Sequence, residues 1–151
     1  MLKRKIDKYL EEWKTSVDKK PLIVKGARQV GKTASIRYFG EKYYKYIVEI
    51  NFALQPKYKQ IFADGYEVDS IIKNITLLNP TLVFVPHETL LFFDELQEYP
   101  DCATSLKSFN QDGRYDVICS GSLMGLYYQQ IESNSVGYKT DYEMYSLDFE
   151  E

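Results

Sequence analysis

An α/β fold with a parallel sheet, organised around a phosphate-binding loop, is predicted by three stretches of the chain. The first is Gly26-Ala27-Arg28-Gln29-Val30-Gly31-Lys32-Thr33, which spells G-x-x-x-x-G-K-T. It follows the short apolar run Pro21-Leu22-Ile23-Val24, which reads as a buried strand, and leads into Thr33 to Phe39, whose spacing is helical. The second is Leu90-Leu91-Phe92-Phe93-Asp94-Glu95, an apolar strand ending in two adjacent carboxylates. The third runs from Tyr115 to Ser122, a strand ending in the small polar residues Ser120-Gly121-Ser122. Strands of a parallel sheet are buried on both faces, so they read as continuous apolar runs, and their C-terminal ends open on the ligand crevice.

The loop's chemistry explains its residues. Glycines let the backbone curl so that successive N–H groups of residues 26–34, Ala34 included, face phosphate oxygens, and the following helix adds the positive end of its dipole. Lys32 would reach the β- and γ-phosphates, and Thr33 would offer its hydroxyl to Mg²⁺. Four fixed positions are matched by chance in roughly one chain of this length in two hundred. The strand before the loop and the helix after it make an ordinary glycine-rich turn the weaker explanation.

Each remaining element has its own justification. Leu2, Ile6, Tyr9, Leu10, Trp13 and Val17 recur at three- and four-residue intervals, so residues 1–20 read as an amphipathic helix. Trp13 is expected to pack this helix on the sheet rather than stack on adenine. Tyr46 to Phe52 reads as a second strand, Gln55 to Phe62 and Val68 to Leu78 as helices, and Asn79-Pro80 as a stop. Leu82 to Pro86 is ambiguous between a strand and the end of that layer, and His87, the one histidine, falls in this connection. Pro100 to Phe109 reads as a short helix, Asp112-Gly113 as a turn and Leu123 to Ile131 as a helix. Residues 136–144 alternate apolar and polar side chains and predict a last strand.

Composition narrows the class. The 151 residues, 44% hydrophobic and 27% charged, supply one domain with a sizeable core. A net charge of −3 does not indicate nucleic acid as a partner. The apolar runs are too short for a membrane span and the charged start is unlike a signal peptide, so a cytoplasmic location is expected. Cys102 and Cys119 have neither metal-ligand spacing nor disulfide density and are expected to be buried thiols.

The second stretch completes the candidate site. Asp94, at the end of its strand, can hold Mg²⁺ through the water shell, and Glu95 can polarise an attacking water as general base. Catalytic candidates are Glu95, Lys32 and Ser120, the last either a polar sensor near the γ-phosphate or a turn or helix N-cap serine, since Ser-Gly-Ser suits both; metal candidates are Thr33 and Asp94. Gln97 either orients water or phosphate or lies on a helix surface.

These residues carry a resemblance. With the Trp13 helix, the Gly26–Thr33 loop, Phe92-Phe93-Asp94-Glu95-Leu96-Gln97, Ser120-Gly121-Ser122 and Ser146-Leu147-Asp148-Phe149-Glu150-Glu151, nearly the whole chain resembles a prokaryotic family of AAA-type P-loop ATPases. The resemblance implies a three-layer P-loop NTPase sandwich, with a parallel sheet of order 5-1-4-3-2 and helices on both faces. It implies that residues 1–151 are the ATPase domain and that 136–151 lead into a further C-terminal part. The family often has threonine where Ser120 stands and arginine where Tyr138 stands.

The function expected is Mg-dependent ATP hydrolysis with an unassigned output, with ATP and Mg²⁺ as cofactors. Two alternatives stay open: a non-catalytic module locked by nucleotide, and a P-loop kinase, although a kinase lid normally carries several arginines and this chain has Arg4, Arg28, Arg37 and Arg114. No Asn/Thr-Lys-x-Asp guanine-reading motif is present. Arg28 is a candidate phosphate contact, Arg37 is expected to face away, and Arg114 to enter at the end opposite the phosphates. Self-association is expected, because the last strand has no element after it to cover its edge.

Overall fold

The computed structural model describes residues 5–27, 30–122 and 128–144. Five strands form one sheet: β1 (Leu22–Lys25), β2 (Tyr46–Asn51), β3 (Thr89–Asp94), β4 (Asp116–Gly121) and β5 (Thr140–Glu143). All described pairings are parallel, and the order is β2-β3-β4-β1-β5, the arrangement expected. The helices are α1 (Lys5–Lys14), α2 (Lys32–Tyr43), α3 (Val68–Leu78), α4 (Leu106–Asp112) and α5 (Tyr128–Ser135), with 3₁₀ turns at Pro56–Phe62, Leu96–Glu98 and Pro100–Ser105.

Two apolar layers explain why the strands read as unbroken hydrophobic runs. Along β3, Leu90 and Phe92 join Ile6, Leu10, Trp13, Ile36 and Phe39 under α1 and α2. Leu91 and Phe93 face the other way and join Ile71, Ile75, Leu106, Phe109 and Ile131 under α3, α4 and α5. Alternate residues thus serve opposite faces, and all six positions of β3 are buried.

Several boundaries differ from the sequence reading, each for a local reason. α1 ends at Lys14 because the Thr15 and Ser16 hydroxyls turn back to the carbonyls of Glu11, Glu12 and Trp13, which throws Val17 out of the stripe to 98% exposure. Pro56–Phe62 and Pro100–Ser105 wind as 3₁₀ rather than α-helix. Leu82 to Pro86 is not a strand; the Thr89 hydroxyl donates to Val83 O and accepts from Val85 N, pinning the segment as a loop. α5 runs on to Ser135, and only Thr140–Glu143 of the predicted last strand is extended, because Gly137, at φ 83°, turns the chain between them. Residues 123–127 of the predicted helix lie outside the described residues.

Trp13 packs away from the ligand end. Its ring meets Phe39 at a centroid distance of 6.3 Å and its N–H donates to Lys20 O at 2.8 Å. Cys102 and Cys119 are buried free thiols, and burial, with Cys119 beside it, pushes the Cys102 thiol up.

Candidate functional site

The C-terminal ends of the central strands and the start of α2 enclose a cleft of about 600 Å³. Gly31, Lys32, Thr33 and Ala34 form one wall, Asp94, Glu95 and Ser122 the floor, and Arg37, Asn51, Ala53 and Leu54 the far side. Sequence dictates this meeting point. β1 delivers the loop, and Gly31 adopts φ 89°, ψ 20°, a left-handed conformation open to glycine, so that α2 starts abruptly at Lys32. The first-turn amides of any helix lack an intrahelical acceptor and suit an anion. Gly26 is held as tightly: a Cβ there would come 2.5 Å from the backbone oxygen of Met144, just after β5.

Asp94 is the hub. Its carboxylate, 3% exposed, accepts from the Thr33 hydroxyl at 2.9 Å, from the Ser120 hydroxyl at 2.5 Å and from the Glu95 backbone N–H at 2.8 Å. Three donors from α2, β4 and the turn after β3 fix one carboxylate, with Thr33 already against the proposed metal ligand. Glu95 lies beside it with a left-handed backbone, φ 58°, a strained conformation of order 1–3 kcal/mol for a residue with a side chain. That kink carries the Glu95 side chain to the cleft, while Gln97 donates to its carboxylate and accepts from Ser122 N–H at 3.0 Å. The ammonium of Lys32 donates to the loop carbonyls of Gly26 and Ala27 at 2.9 and 2.8 Å.

The structure thus places Lys32, Thr33, Ala34, Gly31, Asp94 and Glu95 on one cleft, with Ser120 directly behind Asp94. Gly26, Ala27 and Val30 belong to the loop's root, where Val30 is buried against the α1 and α2 layer. Arg28 and Gln29 lie outside the described residues. Arg37 corrects an expectation: it lines the cleft rather than facing away, because α2 brings residues 33 and 37 to the same side one turn apart. Its guanidinium is engaged by both carboxylate oxygens of Glu49 on β2. Arg114 is at the opposite end, paired with Asp69 and Asp112. Sequence reasoning missed Asn51, whose place in β2 opposite Asp94 puts it on the cleft while its Oδ1 accepts from the N–H groups of Ala53 and Leu54. A polar residue closing the strand after Ile50 was the available signal.

The family model described as an AAA domain matches residues 18–151. This chain belongs to the AAA domain family. Its members are ATPase-type nucleotide-binding domains, and the parallel sheet with helices on both faces is the AAA-type P-loop fold. Among solved structures, the chain is similar to the Aeropyrum pernix ORC1 protein in complex with DNA, at 12% identity and a TM-score of 0.53 over 90% of this chain and 42% of that one. A chain of Drosophila ORC bound to DNA gives 10% identity and a TM-score of 0.52 over 91% and 87%. C. elegans PCH-2 gives 12% identity and a TM-score of 0.47, with 91% of this chain matched to 38% of that one. The chain spans about two fifths of the PCH-2 and ORC1 chains it matches. No curated protein matches it. Among the described residues, no helix is long and apolar enough to cross a membrane.

Proposed function

We propose that this AAA domain binds ATP with Mg²⁺ in the cleft and hydrolyses it. The observation that carries the reading is the Asp94 carboxylate, buried and held by the hydroxyls of Thr33 and Ser120, with Glu95 next to it at the foot of the phosphate loop. Thr33 and Asp94 suit Mg²⁺, which takes hard oxygen ligands and prefers one or two protein groups plus substrate phosphates and water to a full protein cage. Bound there, the ion would offset the phosphates' charge.

Each side chain then has a part. Lys32 exchanges its loop carbonyls for phosphate oxygens, a stronger charge-assisted contact. Ser120 keeps Asp94 fixed. Glu95 accepts a proton from water as the water oxygen bonds to the γ-phosphorus and the bond to the bridging oxygen breaks, giving ADP and phosphate. Arg37 pairs with Glu49, so charge developing on the transferred group would be met by Arg28 of the loop or by an arginine from a neighbouring subunit or a further C-terminal part, and in the latter two cases hydrolysis by this chain alone is slow.

The test is ATP binding and single-turnover hydrolysis with a Mg²⁺ titration. Asp94→Ala should lose the Mg²⁺ dependence, and Glu95→Gln should bind ATP like the parent and turn it over far more slowly. Equal turnover by parent and Glu95→Gln would move the general base elsewhere, and phosphate passing to an added acceptor instead of water would overturn the hydrolytic reading.

A further inference from the structure

The turn after β3 holds a contact that the loop, the metal ligands and the general base leave unexplained. Gln97, in the 3₁₀ turn Leu96–Glu98, does not line the cleft, yet its Nε2 donates to Oε2 of Glu95 and its Oε1 accepts from the N–H of Ser122. A carboxylate only accepts and a backbone N–H only donates, so the two partners fix the amide in one orientation. Space for it exists because residue 121 has no side chain: a Cβ on Gly121 would come 2.5 Å from Gln97 Oε1. The main chain just past β4 therefore reaches Glu95 through Gln97, as the Ser120 hydroxyl within that strand reaches Asp94.

We propose that Gln97 is a positioning residue that holds the Glu95 carboxylate toward the cleft, keyed to the end of β4; this rests on the reading of Glu95 as general base. A glutamate has three rotatable side-chain bonds, and a base must stay within hydrogen-bond reach of its water. The backbone kink at Glu95 brings the side chain to the site, and the second anchor keeps it there. Gln97 does not line the cleft and meets it through the Glu95 carboxylate and the Ser122 main chain, so it acts on turnover and not on nucleotide affinity.

The experiment compares parent, Glu95→Gln, Gln97→Ala, Gly121→Ala and the double variants for ATP binding and for kcat and KM. Gln97→Ala should keep its ATP affinity within about twofold while kcat falls on the order of tenfold to a hundredfold, the scale of a misplaced catalytic group. Glu95→Gln combined with Gln97→Ala should be no slower than Glu95→Gln alone, since both remove one function. Gly121→Ala leaves the amide present but displaces it, so it should lower kcat as Gln97→Ala does and add nothing to it. Losses that multiply between Glu95→Gln and Gln97→Ala, or Gln97→Ala and Gly121→Ala at the parent rate while Glu95→Gln is slow, would overturn this inference alone. A parent that hydrolyses nothing would overturn the hydrolytic reading, a Glu95→Gln as fast as the parent would overturn the reading of Glu95 as general base, and either result takes this inference with it.

Discussion

Replacing Ser120 by alanine tests the hub of the site without touching any ligand. Ser120 is fully buried, and its hydroxyl supplies one of three donors to a carboxylate that is itself only 3% exposed. Removing it leaves Asp94 Oδ1 with the Glu95 N–H alone, and water has little access to repair the loss. Hydrogen bonds to a charged group contribute roughly 1.5–3 kcal/mol, and losing a single oxygen adds little cavity cost, so Ser120→Ala should destabilise the nucleotide-free protein by about 1.5–3 kcal/mol. At a urea slope typical of a domain this size the midpoint falls by roughly 1 M. Trp13, the one tryptophan, is buried in the α1 and α2 layer and gives a fluorescence signal distant from the substitution. The control is Ser120→Ala in an Asp94→Asn background, where the lost bond is neutral and the cost should drop to about 1 kcal/mol. A Ser120→Ala loss below about 0.5 kcal/mol would mean that the hydroxyl does not serve the carboxylate, and the hub would have to be redrawn.

Three further outcomes are expected. Lys32→Ala should remove most affinity for a labelled ATP analogue, because a methyl cannot replace an ammonium on phosphate; unchanged binding in the titration would contradict the loop assignment. Gly26→Ala should cost more stability than Gly121→Ala in thermal melts, since its Cβ meets the backbone oxygen of Met144 at 2.5 Å whereas that of Gly121 meets the movable end of Gln97. The Arg114 guanidinium, chiefly by hydrogen bonding, holds the Asp112 carboxyl below its ordinary value. A depressed acid contributes stability above its unfolded value of about 4 and loses it as pH falls through the lower folded value. Arg114→Ala should therefore cost less than about 1 kcal/mol at neutral pH, given the exposure of the pair, and less still as the pH is lowered through the acid range, as melts across that range would show.

Much of this arrangement was legible because the loop and the carboxylate pair are local in sequence and chemically specific. Gly26 to Thr33 needs a strand before it and a helix after it, and Asp94-Glu95 closes a run whose every residue is buried. The strand order came with the family resemblance, since no local pattern tells β1 that its neighbours are β4 and β5. What stayed hidden depends on side chains meeting across elements. Gln97 reads as a surface residue until Gly121 is seen to leave room for its amide, and Arg37 reads as outward until the turn of α2 sets it over Glu49. Val17 failed for the converse reason: its spacing suited the stripe, but two hydroxyls ended the helix first.

The position of β1 has a consequence for the order in which the molecule comes together. Its four residues hydrogen-bond to β4, from Ile118 onward, on one side and to β5, from Thr140 onward, on the other. Contacts spanning so much chain form slowly, and a nascent polypeptide emerges N-terminus first. From the emergence of Thr33 until β4 follows, the chain therefore carries the complete loop signature while the strand beneath it lacks both neighbours. Nucleotide affinity should appear late and abruptly along a ladder of growing ribosome-tethered chains, once β5 and Met144 close over Gly26.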